Sequence, residues 1–151
     1  MYIKVFSIEK TTDNSLECML KEYKKMISRF SVIEDLVLFN KQIAKAQTTG
    51  MQAAQEAYAK VYEPHVKGFN IALDVAGLQM DSFAFSKLME DAVNINFFIG
   101  GAYGFNKEFL QKADKVISLS YLTYAHKIAK LVLYEQIYRG LCIKENHPYH
   151  K

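Results

Sequence analysis

The sequence predicts an α/β fold in which helices flank a mainly parallel sheet. Short apolar or β-branched runs alternate with segments of helical periodicity along the whole chain, which is the order typical of parallel sheets. Two of the runs, residues 69–74 and 95–99, are apolar at nearly every position, which indicates strands buried on both faces. The chain has 151 residues, of which 50% are hydrophobic and 23% charged, as in one folded domain. We therefore predict a single domain over residues 1–151.

Five strands are predicted in chain order. Residues 2–8 alternate and are rich in β-branched and aromatic side chains, and residues 32–39 form a second such run. The two runs that are apolar throughout supply the third and fourth strands, and residues 116–119 form a short fifth strand. Because a helical segment separates each strand from the next, we expect crossover connections and parallel pairing.

Helical segments fill the intervals between strands, and their ends carry cap and stop residues. Asp13 or Ser15 can cap a first helix, which has apolar residues at Leu16, Met19, Leu20, Tyr23 and Ile27. A second helix is predicted over residues 43–62, with an interruption near Thr48-Thr49-Gly50 and a stop at Pro64. A third covers residues 81–91 and is capped by Asp81 or Ser82, and a short fourth helix is capped by Asn106 and ends near Ala113. The last predicted helix covers residues 126–142.

The last predicted helix, residues 126–142, is apolar around more than one face. Its apolar positions include Ile128, Leu131, Val132, Leu133, Tyr134, Ile137, Tyr138 and Leu141. Such a helix needs two surfaces to pack on, and a domain of this size has limited room to bury it. A homodimer interface is the simplest prediction, and complete burial within one chain is the alternative.

Charge is unevenly distributed along the chain. The formal net charge is +3, yet residues 106–151 hold eight Lys or Arg, four Asp or Glu and three of the four histidines. A cationic C-terminal third could attract phosphate, or it could be an ordinary solvated surface.

Composition disfavours several other classes of protein. Cys18 and Cys142 lack metal-ligand spacing, so we expect two buried thiols in a reducing compartment and no metal. No charged-then-apolar leader opens the chain, and no run of ~18 apolar residues occurs. We therefore expect a cytoplasmic protein without a membrane span.

Three loops that follow predicted strands carry candidate ligand-binding residues. Ligands of open α/β sheets lie beyond the carboxyl ends of strands, where Leu73-Asp74 with Gly77, Gly100-Gly101 and residues 119–126 all stand. Glycine permits close approach of a ligand to the backbone, although a tight turn would require it equally. The GGxxG spacing after the fourth strand argues against a dinucleotide fingerprint and hence a dehydrogenase. Asp74 is more typical of a turn residue. His126, which closes the third loop, is more typical of a capping or packing residue.

The chain ends on an unusual polar tail, residues 146–151. It contains two imidazoles, a phenol and a cation but no apolar anchor, so it need not pack in the core. Tyr149 can stack on an exposed base, while His150, Lys151 and Arg139 can meet phosphates. A disordered polar tail is the alternative.

Together these motifs resemble the RlmH family of ribosomal RNA large subunit methyltransferases, within the SPOUT superfamily. Their order and spacing match over the whole chain, and the C-terminal third is the most specific part. The matching elements are Leu73-Asp74 with Gly77, Ile99-Gly100-Gly101, Leu119-Ser120, Leu122-Thr123, His126, Glu135-Gln136-Ile137-Tyr138-Arg139 and His147-Pro148-Tyr149-His150-Lys151.

The resemblance implies a parallel sheet with a C-terminal trefoil knot, a homodimer, and S-adenosylmethionine bound in the knot. It also implies N3-methylation of a pseudouridine in the 23S rRNA of assembled ribosomes. By the same match, the cofactor pocket would be lined by Leu73, Gly100, Gly101, Leu119, Ser120, Tyr121, Leu122, Thr123 and Tyr124.

Methyl transfer to a ring nitrogen needs positioning of that nitrogen and a route for its proton. His150 is the candidate base, with His126 as the alternative, because imidazole titrates near neutral pH. We expect Tyr149 to stack on or orient the target base and Arg139 to hold the RNA. A SPOUT enzyme with another RNA target and a non-catalytic ribosome-binding protein are the competing interpretations.

The chain also departs from the family pattern at several positions. The departures are Ala125 where proline is usual before His126, Ala102-Tyr103 in the glycine loop, Val75-Ala76, and Glu9 where a glycine is common. None of them removes a glycine expected to face the cofactor. Proline at 125 would have fixed φ, so this change bears on the stiffness of the third loop.

Overall fold

The computed structural model describes residues 1–10 and 14–151, and its centre is a five-stranded sheet with the order β2-β1-β4-β3-β5. The strands are β1 (Tyr2–Ser7), β2 (Val32–Val37), β3 (Phe69–Gln79), β4 (Asn94–Ile99) and β5 (Lys115–Ser118). All neighbouring strands in the sheet pair in parallel. The predicted α/β fold with a parallel sheet is therefore confirmed.

Helices cover both faces of this sheet. They are α1 (Glu17–Ile27), α2 (Lys41–Thr49), α3 (Met51–Tyr62), α4 (Ser82–Leu88), α5 (Lys107–Lys112) and α6 (His126–Lys144). Helices α1, α4 and α6 enclose one half of the core, and α2, α3 and α5 enclose the other. Ile71, Ala72, Phe97 and Phe98 are fully buried between the layers, so β3 and β4 are covered on both faces, as predicted.

The segment predicted as one helix over residues 43–62 is two helices that meet at Gly50. Gly50 has φ 152°, a conformation that favours glycine, and its N–H closes α2 on the carbonyl of Ala46 at 3.2 Å. A short 3₁₀ turn, Glu63–His65, contains Pro64 and follows the end of α3. The interruption near Gly50 and the stop at Pro64 are both confirmed.

Two of the predicted caps, Asp81 and Asn106, are confirmed. In each case the side-chain oxygen accepts the backbone N–H three residues further on, at 2.8 Å, which satisfies a donor that the helix itself leaves unpaired. Helix α1 differs, because Leu16 occupies its N-cap position without a side-chain hydrogen bond. The prediction of Ser15 as the cap is therefore wrong, and Asp13 lies outside the described residues.

Two element ends differ by more than two residues from their predicted positions. Strand β3 was predicted to end at residue 74 but continues to Gln79, because after an irregular stretch between Leu73 and Leu78 it pairs with β5 again. Helix α4 was predicted to reach residue 91 but ends at Leu88.

The two cysteines have different environments. Cys142 is buried, as predicted, whereas the prediction for Cys18 is wrong because that residue is exposed on α1. Leu20, Tyr23 and Ile27 carry the face of α1 that packs on the core, and position 18 lies on the opposite face at 100° per residue.

Helix α6 obtains most of its burial from its own chain. Leu133, Tyr134 and Ile137 are fully buried in the core shared with α1 and α4, while Ile128 is 42% exposed. The homodimer stays a prediction at this point. In the described residues, no helix is both long enough and apolar enough to cross a bilayer.

Candidate active site

A pocket of about 400 Å³ opens at the ends of β4 and β5, beside the start of the irregular stretch of β3. All three loops that were predicted to bind a ligand contribute to its wall, because the carboxyl ends of parallel strands meet at one edge of the sheet. Among the predicted cofactor-binding residues, those that line the pocket are Leu73, Gly100, Gly101, Leu119, Ser120, Leu122, Thr123 and Tyr124. Tyr121 is 86% exposed and lies outside the lining.

The glycine loop after β4 is a tight turn. The N–H of Gly104 donates to the carbonyl of Gly101 at 3.0 Å, and Gly104 has φ 69°. A Cβ on Gly100 would lie 3.0 Å from the Cα of Gly104, closer than such contacts normally come. Glycine at these positions therefore serves the turn and also leaves the backbone uncovered toward the pocket.

The loop within β3 begins with a second tight turn. Asp74 Oδ1 accepts the N–H of Ala76 at 2.9 Å, so the prediction of Asp74 as a turn residue is confirmed. Gly77 then packs directly on β5, where an added Cβ would lie 2.6 Å from the backbone carbon of Ile117. Only a residue without a side chain permits this approach.

Two serines organise the third loop, which follows β5. Ser118 Oγ donates to the carbonyl of Ser120 at 2.8 Å, and Ser120 Oγ accepts the N–H of Leu122 at 3.0 Å. The loop leads into α6 through Ala125, and His126 is the first residue of that helix. His126 lines the pocket as well.

The pocket carries little charge. In the part of the chain that the structure describes, its lining contains one carboxylate, Asp74, one imidazole, His126, and neither Lys nor Arg. Phosphate groups in protein sites are usually met by Arg, Lys or oriented backbone donors. A cationic or neutral ligand suits this lining better than a phosphorylated one.

The tail residues form a second cluster, on the C-terminal half of α6. The ring of Tyr149 lies 4.7 Å from that of Tyr138 and 4.8 Å from the guanidinium carbon of Arg139, and its hydroxyl donates to Glu135 Oε1 at 3.1 Å. Tyr149 also packs against the hydrophobic core. The prediction that the tail lacks an apolar anchor is therefore wrong, because the phenol ring supplies one.

Arg139 joins His150 to this cluster. Its Nε donates to Glu135 Oε1 at 3.0 Å, and its Nη1 lies 3.2 Å from Nδ1 of His150. Because a guanidinium can only donate, Nδ1 must accept in this contact, which assigns the imidazole proton to Nε2. The His150 ring also packs edge-on against Phe83 at 4.7 Å.

The phenol of Tyr149 is a donor and not a base. Burial raises its pKa, and its hydrogen bonds with Tyr23 and Glu135 raise the pKa further. The hydroxyl therefore keeps its proton at neutral pH.

The pocket and the tail cluster are separate places within one chain. Arg139, Tyr149 and His150 do not line the pocket, whereas His126 does. The stretch of α6 between positions 126 and 139 spans roughly 20 Å at 1.5 Å per residue.

The sequence analysis predicted no role for several residues of these sites. Glu135 ties Tyr149 to Arg139, and its spacing of four residues from Arg139 is a signal that could have indicated an ion pair. Tyr58 and Gln55 of α3 contact the glycine loop from outside the pocket. No local pattern could have found them, because they stand more than forty positions away in the chain.

The fold and pocket define an α/β protein with a ligand site at the carboxyl edge of a parallel sheet. A family model described as "Predicted SPOUT methyltransferase" matches residues 1–150. A crystal structure of a candidate RNA methyltransferase from Bacillus anthracis is similar in fold, with a TM-score of 0.52 at 12% identity over 98% of this chain and 96% of that one.

Full-length relatives give a narrower assignment. Proteins called ribosomal RNA large subunit methyltransferase H from Aliarcobacter butzleri and Campylobacter concisus are 54% and 52% identical over 151 residues, covering 100% of both chains. The protein of that name from Sulfurovum is 47% identical with the same coverage. The chain therefore belongs to the SPOUT methyltransferases and, within them, to the ribosomal RNA large subunit methyltransferase H family. The resemblance to RlmH and the prediction of a methyltransferase are confirmed.

Proposed function

We propose that this protein transfers the methyl group of S-adenosylmethionine to N3 of a pseudouridine in the 23S rRNA of assembled ribosomes. The observation that carries the proposal is the pocket at the carboxyl edge of the sheet, where the three loops of the RlmH pattern meet. The relatives named ribosomal RNA large subunit methyltransferase H support large-subunit rRNA as the substrate. Action on ribosomes implies a cytoplasmic protein.

The residues of the pocket fit this cofactor. A volume of about 400 Å³ falls within the range of roughly 300–1,000 Å³ of small-molecule sites. The glycine loop and the backbone of residues 119–124 would hold the adenosine part, and Asp74 is a carboxylate that a cationic group could meet. The lack of Lys and Arg in the described lining argues against nicotinamide dinucleotides and their phosphates. When bound, the cofactor supplies an electrophilic methyl group.

The tail cluster supplies the other half of the chemistry. Methylation at N3 would require the N3 proton to leave, and a base of this chain would accept it. Tyr149, held protonated, orients the target base, and His150 accepts the proton. Because Nδ1 of His150 faces Arg139, an RNA phosphate that binds Arg139 would release the imidazole for this role.

We infer a homodimer in which the tail of one subunit completes the pocket of the other. The separation of roughly 20 Å along α6 within one chain supports shared sites. Large apolar side chains are exposed close to the pocket loops and α6 in sequence, as a dimer interface would require. They are Leu78, Phe83, Tyr121, Leu122 and Ile128.

A trefoil knot in the C-terminal part of the chain belongs to the same proposal. Leu73 and Leu78 of β3 pair with the same residue of β5, Ile117. Gly77 lies in the segment between them and packs against the backbone of Ile117. This pairing is a bulge in β3, and membership of the SPOUT family is what supports a threaded arrangement, which is otherwise almost absent from proteins.

The function is tested by methyl incorporation from labelled S-adenosylmethionine into 70S ribosomes, isolated subunits and naked rRNA, all lacking the modification. Label in large-subunit rRNA of 70S particles alone is the expected result. Cofactor binding without label in any substrate would indicate a different RNA target. The absence of both would favour a non-catalytic ribosome-binding protein.

The role of His150 is tested by His150→Ala. Loss of a general base should slow methyl transfer on the order of 100-fold and leave the Kd for S-adenosylmethionine unchanged, because the proposed contact of His150 is with the target base and not with the cofactor. His147→Ala is the matched control, since this exposed tail imidazole lies against Phe30 at 6.0 Å. Equal turnover in both variants would remove His150 from the mechanism.

A further inference from the structure

We propose that Tyr58 is a positioning residue that sets the conformation of the glycine loop (residues 99–104) and, through it, the affinity of the pocket for S-adenosylmethionine. This inference rests on the proposed function of the pocket. Tyr58 belongs to α3 and does not line the pocket. It acts from behind the loop, on the side turned away from the ligand.

The first observation is steric. A Cβ on Gly101 would lie 2.5 Å from Cζ and 2.8 Å from the hydroxyl oxygen of Tyr58. The backbone of Gly101 therefore rests directly on the phenol ring. Tyr58 is fully buried, so its ring has no free space into which it could withdraw. Ring and loop thus fix each other's position.

The second observation is a hydrogen bond to the same hydroxyl. Gln47 of α2 donates from Nε2 to the Tyr58 hydroxyl at 2.7 Å. Burial raises the pKa of this phenol, and the hydrogen bond from Gln47 counteracts the rise. The hydroxyl that lies against Gly101 is thereby held in place by α2.

A third contact holds the outer part of the loop. Gln55 of α3 donates from Nε2 to the carbonyl of Tyr103 at 2.9 Å. One turn beyond Tyr58, the hydroxyl of Tyr62 donates to the carbonyl of Ile99 at 2.7 Å, which fixes the end of β4 where the loop begins. The α2–α3 pair thus binds the loop at its beginning, middle and outer end.

These contacts bear on ligand affinity because the loop offers its backbone to the pocket. Gly100, Gly101 and Gly104 all line the pocket, and a flexible glycine turn would lose conformational entropy each time a ligand ordered it. Residues that hold the turn in place beforehand remove part of this loss. Tyr58 is the member that combines ring contact with hydrogen bonding.

The experiment compares Tyr58→Phe and Gln55→Ala with the wild-type protein. Tyr58→Phe removes the hydroxyl that lies against Gly101 and is held by Gln47, and Gln55→Ala removes the hydrogen bond to Tyr103. Each loss should raise the calorimetric Kd for S-adenosylmethionine about three- to tenfold. KM for the cofactor should rise more than kcat falls, and hydrogen exchange at the amides of residues 100–104 should become faster. Gln52→Ala is the control, because this side chain on the same helix bonds to Glu56 at 3.1 Å and not to the loop.

A rescue variant separates positioning from general destabilisation. Gly101→Ala should weaken cofactor binding because the new methyl group meets the Tyr58 ring, and adding Tyr58→Leu should restore part of the affinity by making room. Additive losses in this pair would overturn the inference.

Failure of the proposed function is distinguishable from failure of this inference. Wild-type protein that does not bind S-adenosylmethionine contradicts the proposed function, and hydrogen exchange of the loop then decides the role of Tyr58. If the loop amides of Tyr58→Phe exchange hydrogen at the wild-type rate, the inference is overturned in either case. Faster hydrogen exchange confined to the loop supports it.

Discussion

Lys130 shows how a single buried cation can join distant parts of this chain. Its ammonium group donates to Ser7 Oγ at 3.1 Å and to Glu9 Oε1 at 3.3 Å, and it forms an ion pair with Asp35 Oδ1 at 2.7 Å. Lys24 pairs with the other oxygen of Asp35 at 3.0 Å. Lys24, Asp35, Lys130 and Glu9 therefore form a row of charges that alternate in sign. The row joins α1, β2, α6 and the segment that follows β1.

Lys130→Met should lower the free energy of unfolding by about 3–5 kcal/mol, because it leaves two partly buried carboxylates without their shared cation. Urea denaturation measures the change. Lys25→Met, at an exposed position on α1, should be nearly neutral. Adding Asp35→Asn to Lys130→Met should recover part of the loss. If Lys130→Met lowered the free energy of unfolding by less than about 1 kcal/mol, the burial of these carboxylates would not depend on Lys130.

Tyr134 predicts a loss of stability in alkaline solution. Burial raises the pKa of its phenol, and the carboxylates of Asp35 and Glu9 raise it further, so the folded chain keeps this proton when the unfolded chain has lost it. This stabilisation is complete below about pH 10, the ordinary pKa of tyrosine. It is lost as the pH rises above that value, by up to about 1.4 kcal/mol per pH unit.

Tyr134→Phe should therefore flatten the fall in stability above pH 10, as measured by urea denaturation at several pH values. At pH 7 the substitution should be neutral or stabilising, because the buried hydroxyl has no hydrogen-bond partner among the described residues. An unchanged alkaline slope would assign the effect to other groups.

At the scale of elements, the parallel strands and most helices were predictable because their patterns are local. The third and fourth strands are apolar throughout, and Gly50, Pro64, Asp81 and Asn106 mark helix ends by their own backbone or side-chain chemistry. The continuation of β3 to Gln79 was not predictable, since it depends on renewed pairing with Ile117 of β5. Pairing partners do not appear in a local pattern.

The pocket was predictable from the sequence, whereas the packing of the tail cluster was not. The rule that carboxyl ends of parallel strands meet at one edge brought three loops together, and the RlmH resemblance named their residues. The packing of Tyr149 against Tyr138 and Glu135 was not predictable, because it depends on how the chain turns back after α6. The exposure of Tyr121 likewise depends on the path of its loop.

Ala125 offers a test of the loop that leads into α6. Its φ of −55° lies within the range that proline imposes, so Ala125→Pro should raise the free energy of unfolding by about 0.4–1 kcal/mol through the unfolded state. Thermal and urea denaturation measure this gain. Ala129→Pro, in the first turns of α6 with its N–H bonded to the carbonyl of Ala125 at 2.9 Å, should be strongly destabilising. A loss of stability in Ala125→Pro would indicate that the native loop cannot accept the ring.

At the scale of the whole molecule, the separation of pocket and tail predicts complementation between subunits. A heterodimer purified through two tags would combine one subunit carrying His150→Ala with one carrying Gly100→Val, whose side chain would meet Gly104. If sites are shared, one of the two sites contains only intact parts, so turnover per dimer should be about half that of the wild type. Each mutant homodimer provides the inactive control. A heterodimer as inactive as the two homodimers would show that each site is built from a single chain.

The ion pairs of Lys130 also bear on the order in which the protein can fold during its synthesis. Ser7 and Lys130 are 123 positions apart, so β1 leaves the ribosome long before the helix that neutralises the carboxylates beside it. Until that helix emerges, Glu9 and Asp35 lack the cation that makes their burial favourable. The N-terminal half therefore cannot reach its final packing as an independent unit, and the last quarter of the chain completes the structure of the first.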